Sequence, residues 1–351
     1  MSRTLNRSNT AQRAPRFLHT DCELRNSATP PRSSSPEALD VLWLCPWPKG
    51  GAGSASRGVL CELRKRGYRT SYNPRPLPSV PVRCIVLLGL SVAIAREMRT
   101  THPDALIVLQ NHSPWLFLAW SQSDATRWHQ CLAWARADGN AHVAQVAWAE
   151  FRSARTAYGP SAIDCLPAVY PYPIETTPAA PSNPPAVILA HRDRPWKSIP
   201  SQLIAAALAH RTQPLRVIYP PPPDQVTPVA DIADLWNVPV HTGKWSSQDA
   251  FRTAIRTASV SMCATWAECY SQAALDALSQ GVPVVAGPAN WFVPTEWQAF
   301  PDDPAALAAR ILRILRDPDG ARPRAILAAH AAQRRQLELL EQWLCRNLPA
   351  S

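Results

Sequence analysis

From Asp40 onward, apolar residues fall into short blocks separated by polar or breaker-rich stretches, and the period inside each block selects an element. Val41-Leu42-Trp43-Leu44-Cys45 is a continuous apolar run of strand length. The breakers of 46–53 follow it, and then a helix is predicted over 54–66, closed by Gly67. The longest apolar run, 84–95, is bracketed by Arg83 and Arg96 and is too short to cross a bilayer, so it reads as buried core, with helix near 92–99. Ala105-Leu106-Ile107-Val108-Leu109 is a further buried strand that ends at Gln110-Asn111-His112-Ser113-Pro114. Proline then crowds 161–185, as in an extended connector.

Beyond it the alternation restarts. Strands are predicted at 186–190, 215–219, 238–241, 260–263 and 282–285, with helices at 201–210, 248–258 and 272–280 between them. Strand alternating with helix implies parallel sheets, so the expected fold is α/β: two Rossmann-like, doubly wound lobes facing a central cleft. The boundaries read as a first lobe at 39–175, a linker at 176–185 and a second lobe at 186–351 that carries amphipathic terminal helices over 305–316 and 323–345. Residues 1–38 are basic and rich in Ser, Arg, Pro, Thr and Asn. Without apolar periodicity they are expected to form a disordered tail.

Composition narrows the function classes. A chain of 351 residues is long enough to bury two cores. Lys and Arg total 36 against 26 Asp and Glu, and this net charge of +10 favours anionic partners without choosing among phosphates, nucleic acid and acidic membrane. Nine cysteines, an odd number with no C-x-x-C pair and no metal-ligand spacing, read as reduced thiols of a cytoplasmic protein with no metal site. The N-terminus lacks the apolar stretch of a secretory signal, and no transmembrane segment is predicted. Gly50 and Gly51, between the first strand and its helix, would let the backbone approach a phosphate. No Gly-x-Gly-x-x-Gly opens either lobe, which disfavours a dinucleotide oxidoreductase.

Three segments in the second half carry more specific information. Glu268 and Asp276, with seven residues between them, precede Gly281-Val282-Pro283-Val284-Val285. Upstream, Arg192 is followed five positions later by Lys197, and Asn237-Val238-Pro239-Val240-His241-Thr242-Gly243 reads as a strand ending in glycine. In order and spacing these segments resemble the retaining GT-B glycosyltransferases of the family 4, or group 1, type, which include sucrose and glycogen synthases. Cys269-Tyr270-Ser271 stands where that family commonly has Pro-Phe-Gly, Asp276 replaces a Glu, and four prolines at 220–223 replace a Gly-rich turn. The first lobe matches loosely, through Gly50-Gly51 and His112-Ser113-Pro114.

The resemblance implies a metal-independent hexosyltransferase that takes a nucleoside-diphosphate sugar, retains anomeric configuration and needs no cofactor. It places Arg192 and Lys197 on the diphosphate, Glu268 on sugar hydroxyls, Asp276 on the ribose and His112 near the transferred sugar. Fixed cations suit that place because negative charge builds on the leaving diphosphate. Ser271 and Gln272 would open a helix whose N-terminus adds donors for phosphate. The acceptor stays open among a small molecule, a glycan, a lipid-linked sugar and DNA carrying a hydroxylated base, the last motivated by the basic surplus. The altered residues after Glu268 motivate another reading, a catalytically silent sugar-nucleotide binder. Trp115, Trp120, Trp128, Trp134 and Trp148 suggest an aromatic acceptor wall in the first lobe.

Overall fold

The computed structural model describes residues 38–47, 51–178, 180, 182–190, 194–219, 229–242 and 247–348. The first lobe runs β1 (Leu39–Leu44), α1 (Gly51–Lys65), β2 (Thr70–Tyr72), β3 (Val82–Leu88), α2 (Val92–Thr101), β4 (Leu106–Asn111), α3 (Trp115–Trp120), α4 (Gln122–Asp138), β5 (Ala141–Gln145), α5 (Trp148–Tyr158) and β6 (Ile163–Cys165). Its strands pair in parallel in the order β2-β1-β3-β4-β5-β6. Central parallel strands are covered on both faces, so they are continuously apolar, and their successive side chains feed two separate cores. Leu42, Ile85, Leu87, Ile107 and Leu109 enter one core, while Val41, Trp43, Cys84, Val86 and Val108 enter the other.

The second lobe runs β7 (Ala186–Leu189), α6 (Ile199–Thr212), β8 (Arg216–Tyr219), α7 (Val229–Trp236), β9 (Val240–Thr242), α8 (Gln248–Arg256), β10 (Val260–Cys263), α9 (Gln272–Leu278) and β11 (Val284–Ala286). Two helices follow, α10 (Pro304–Arg316) and α11 (Pro318–Asn347). The sheet is again parallel, in the order β11-β10-β7-β8-β9. The α/β, two-lobed expectation therefore holds. The predicted tail, residues 1–38, lies outside the described residues apart from Ala38. No helix among the described residues is long and apolar enough to cross a membrane.

Besides β2, β5, β6, α3, α5 and α7, which the sequence pattern leaves unassigned, three features differ from the sequence reading. First, α1 begins at Gly51, so residues 51–53 are helical rather than part of the loop. Second, α4 was not anticipated, although Trp128, Cys131, Leu132 and Ala135 are its buried residues at positions i, i+3, i+4 and i+7. Third, α11 does not stay in the second lobe. Ala321, Ala325 and Ala329 pack into the second-lobe core, whereas Leu340, Trp343, Leu344 and Leu348 join the first-lobe core beside Val41, Trp43 and Leu63. Thirty residues of helix reach about 45 Å, enough to touch both lobes. Arg346 and Asn347 then donate to the Asp164 carboxylate at 3.0 and 2.9 Å, fixing the far end.

The connector after β6 is held by the first lobe at Gly58. A Cβ built there would stand 1.9 Å from the Val169 carbonyl oxygen. Alanine in a helix interior normally adds about 1 kcal/mol over glycine, but here the close approach reverses the sign. Gly58→Ala is expected to lower stability by about 2 to 3 kcal/mol, read as a fall in the urea midpoint, and an unchanged or raised midpoint would contradict the contact.

Candidate functional site

Both sheets present the carboxyl ends of their strands to the space between the lobes, the place where open parallel sheets hold ligands. In the first lobe, β4 ends in a set of mutually fixed polar side chains. Gln110 Nε2 donates to the Leu166 carbonyl at 2.9 Å, and Asn111 Nδ2 donates to Gln145 Oε1 at 3.0 Å. With its amide oriented by Leu166, Gln110 turns Oε1 toward His112 Nε2 at 3.2 Å, so that nitrogen carries the ring proton and Nδ1 keeps its lone pair. Desolvation lowers the His112 pKa to about 4, and the ring is neutral at physiological pH. Its backbone carbonyl accepts from the Cys269 thiol, which joins the first lobe directly to the loop after β10. Burial raises that thiol, so Cys269 is not a thiolate.

In the second lobe, Lys197 closes a 3-10 turn over Pro195–Lys197. Gln202, fully buried on α6, donates to the carbonyls of Lys197 and Ala264, pinning this turn to the end of β10. Ser198 adopts a left-handed φ of 47°, a conformation that a non-glycine residue holds only where its surroundings enforce it. The Trp266 amide donates to the Trp196 carbonyl at 3.0 Å, drawing the loop of Glu268 alongside. Lys197 Nζ and Glu268 Oε1 are in direct contact as a largely buried ion pair. The structure thus brings together two residues that are 71 positions apart in the chain.

Three and four residues along the chain from Glu268, Ser271 and Gln272 are 2 % and 8 % exposed. Neither the Ser271 hydroxyl nor the Gln272 side-chain amide has a hydrogen-bond partner among the described residues, and the same is true of the Tyr270 hydroxyl. A buried polar group without a partner costs about 1 to 3 kcal/mol, so this cluster is suited to meet polar atoms of a ligand or water. Glu268 itself precedes α9, which starts only at Gln272, so Glu268 and Asp276 do not share a helix face as an early helix start would have required. Gly51 stands at the first position of α1. Gly50 and Arg192 lie outside the described residues.

Asp276 is 0 % exposed and anchors a buried hydrogen-bond network. Its Oδ1 accepts from the Tyr170 hydroxyl at 2.7 Å and from Arg252 at 3.0 Å, and its Oδ2 accepts from Gln248 at 2.7 Å. Burial raises the Asp276 carboxyl to about 6, which leaves it ionised and paired at neutral pH. Arg252 also lies 4.7 Å from the centre of the Tyr172 ring. These contacts tie the connector to α8 and α9.

A cavity of about 570 Å³ opens between the lobes, with Glu268 and Cys269 on one wall and Trp115, Trp148 and Glu150 on the other. Of the five tryptophans assigned to an aromatic wall, Trp115 and Trp148 line it. Trp128 is buried in the first-lobe core and Trp134 packs against that core. Glu150 was not singled out from sequence. Its signal was a carboxylate in the first turn of a helix just after β5, visible only once β5 is identified.

Burial raises the Glu150 carboxyl to about 7, partly offset by the Trp115 backbone N–H that it accepts at 3.2 Å. A carboxylic acid whose folded pKa lies above its unfolded value binds protons more tightly when folded. Its contribution is complete below the unfolded pKa and is lost as pH rises through the folded one. Stability should therefore fall between about pH 4.5 and about pH 7, by at most about 3 kcal/mol from this group. Glu150→Gln removes the titration but keeps an oxygen for Trp115. Its melting temperature, compared with wild type, should shift upward progressively from about pH 5 to about pH 8, and a pH-independent difference would refute the assignment.

No protein-family profile and no curated protein matches this sequence. Solved structures do match. Sucrose-phosphate synthase from Thermosynechococcus elongatus superposes with a TM-score of 0.65 at 16 % identity, covering 88 % of this chain and 99 % of that one. Anabaena HepE in complex with UDP and glucose gives a TM-score of 0.64 at 14 % identity, over 87 % of this chain and 98 % of that one. A UDP-forming α,α-trehalose-phosphate synthase from Burkholderia xenovorans gives 0.57 at 13 % identity, over 84 % and 78 %. Likeness over nearly the whole of both chains, with paired parallel sheets and their carboxyl ends turned to one cleft, identifies the fold of this chain as GT-B.

Proposed function

We propose that the protein is a glycosyltransferase that moves a sugar from a nucleoside-diphosphate sugar to an acceptor hydroxyl. The observation that carries this reading is the Lys197–Glu268 pair, with Glu268 lining the interlobe cavity together with the unpartnered Tyr270. In the free protein each charge satisfies the other. A donor diphosphate would draw Lys197 to itself and release Glu268 to accept from sugar hydroxyls, so one rearrangement readies both groups.

Transfer forms a bond between the acceptor oxygen and the anomeric carbon and breaks the bond from that carbon to phosphate. The electron pair leaves on the diphosphate, where Lys197 stabilises it, and the acceptor proton passes to a phosphate oxygen. Delivery of the proton from the face on which the diphosphate departs corresponds to retention of configuration. Lys197, joined by Arg192 as the resemblance implies, supplies the positive charge that a metal would otherwise provide. UDP is the first nucleotide to test, since HepE was solved with UDP and the trehalose-phosphate synthase is UDP-forming. His112, neutral and held by Gln110, offers Nδ1 to a sugar hydroxyl.

A panel of UDP-, GDP- and ADP-sugars, followed by nucleoside diphosphate release with and without chelator, tests the class and the metal independence together. Release from one donor, undiminished by chelator and with product anomeric configuration matching the donor by NMR, is the expected result. Binding of a donor without any release would establish instead the silent binder. The DNA acceptor finds little support in the cavity, which carries the carboxylates Glu150 and Glu268 where phosphates would have to pass.

A further inference from the structure

The same cavity has an unusual wall. Among the described residues, the exposed large apolar side chains include Trp148 at 38 %, Trp266 at 45 %, Trp291 at 52 % and Phe300 at 63 %. Trp148, Trp266 and Trp291 line the interlobe cavity. Trp266 also belongs to an adjoining hollow that contains Phe300, so aromatic surface continues outward from the cavity. Four of the six exposed aromatic side chains among the described residues gather around this cavity and its adjoining hollow, and such a grouping marks a binding surface.

The polar groups in that wall are mostly engaged. Arg335 lies 5.9 Å from the centre of the Trp148 ring and donates to Glu338, and Gln336 Oε1 accepts from the Tyr170 amide. Glu268 pairs with Lys197. The exceptions are the Trp115 indole N–H, the Tyr270 hydroxyl and, as the one carboxyl group among them, Glu150. Glu150 accepts one backbone N–H, from Trp115, and a carboxyl group retains further acceptor capacity. A glycan presents a hydroxyl on most of its carbons and would leave many of them unpaired against such a wall. A molecule with one hydroxyl and a large apolar body would not.

We propose that this cavity is the acceptor site and that it takes an apolar, aromatic or polyisoprenoid alcohol, its body laid on Trp148 and Trp291 and its hydroxyl held by Glu150. The inference rests on the glycosyltransferase reading for the word acceptor, but binding can be measured without any donor. Glu150 also satisfies the first N–H of α3, and this purely structural service is preserved in Glu150→Gln.

Umbelliferone, an apolar phenol, serves as the soluble probe, read by energy transfer from tryptophan. Maltotriose is the polyhydroxyl competitor, and phosphatidylcholine vesicles with and without farnesol are the membrane arm. Saturable umbelliferone binding, weakened about ten-fold in Trp291→Ala and in Glu150→Gln and unaffected by maltotriose, is expected. Sedimentation with farnesol-bearing vesicles only, lost in the same variants, would equally support the site and name a lipid source. Displacement of umbelliferone by maltotriose, or binding that both variants leave unchanged, would overturn the proposal. Lys197→Ala should keep umbelliferone binding. Probe binding together with silence across all donor sugars would thus sink the transferase reading alone, while donor turnover without probe binding would sink this one alone.

Discussion

Lys197→Ala is expected to lower donor turnover by about 10² to 10³-fold, the range found when a single fixed group facing developing oxyanion charge is removed. The loss should appear in kcat as well as in KM, because the diphosphate gains negative charge as the sugar departs and the ammonium interacts more strongly with that state. Glu268→Gln should cost a similar factor. It keeps the shape but supplies a weaker acceptor for sugar hydroxyls, and it leaves Lys197 without its counter-charge in the free protein. The two residues act on one substrate and on each other, so the double variant should lose much less than the product of the single losses. Lys197→Arg tests geometry at constant charge, since a planar fork does not replace a point charge. Steady-state nucleoside diphosphate release, with circular dichroism to verify folding, measures all four. Turnover within about five-fold of wild type in Lys197→Ala would show that the pair is only structural.

The largest effect on stability is expected at Asp276. Asp276→Ala strips Arg252, Tyr170 and Gln248 of a shared acceptor in a site without solvent. Leaving one partner of a buried pair uncompensated costs about 3 to 5 kcal/mol. Guanidinium denaturation should register most of that loss, with a smaller one for Asp276→Asn, whose single amide oxygen can still accept from Tyr170 and Arg252 on the Oδ1 side. The same variants separate two roles for this residue. If Asp276 acts as a pin between connector and second lobe, Asp276→Asn lowers stability and leaves the donor KM unchanged. A raised donor KM in a protein of unchanged stability would restore the ribose contact that the sequence resemblance implies.

Much of the architecture was legible because parallel strands buried on both faces carry continuous apolar runs. Those at β1, β3, β4, β7, β8 and β10 stand out against polar surroundings. Strand β5, Ala-His-Val-Ala-Gln, is short and half polar, and with it went the helix that carries Glu150. Helix α4 was readable by its period. The tryptophans inside that region drew attention to a ligand wall instead, yet Trp128 turned out to be core. In the candidate site, the spacing drew attention to the segments of Lys197, Glu268 and Asp276. It did not say that Lys197 would pair with Glu268 at the cavity wall while Asp276 bonded to Tyr170, Arg252 and Gln248.

Local pattern alone therefore determined most of the element types and the parallel character of both sheets, because those follow from hydrophobic period and from breakers acting over a few residues. Tertiary structure alone decided which charges meet, where α11 ends and which aromatics stay exposed. Each of these depends on groups far apart in the chain, several of them from different lobes, brought together by packing whose range in sequence is far longer than any helical or strand period. The Glu268 loop reaching Trp196 and His112, Arg346 reaching Asp164, and the cavity shared by Glu150 and Glu268 all belong to that second kind.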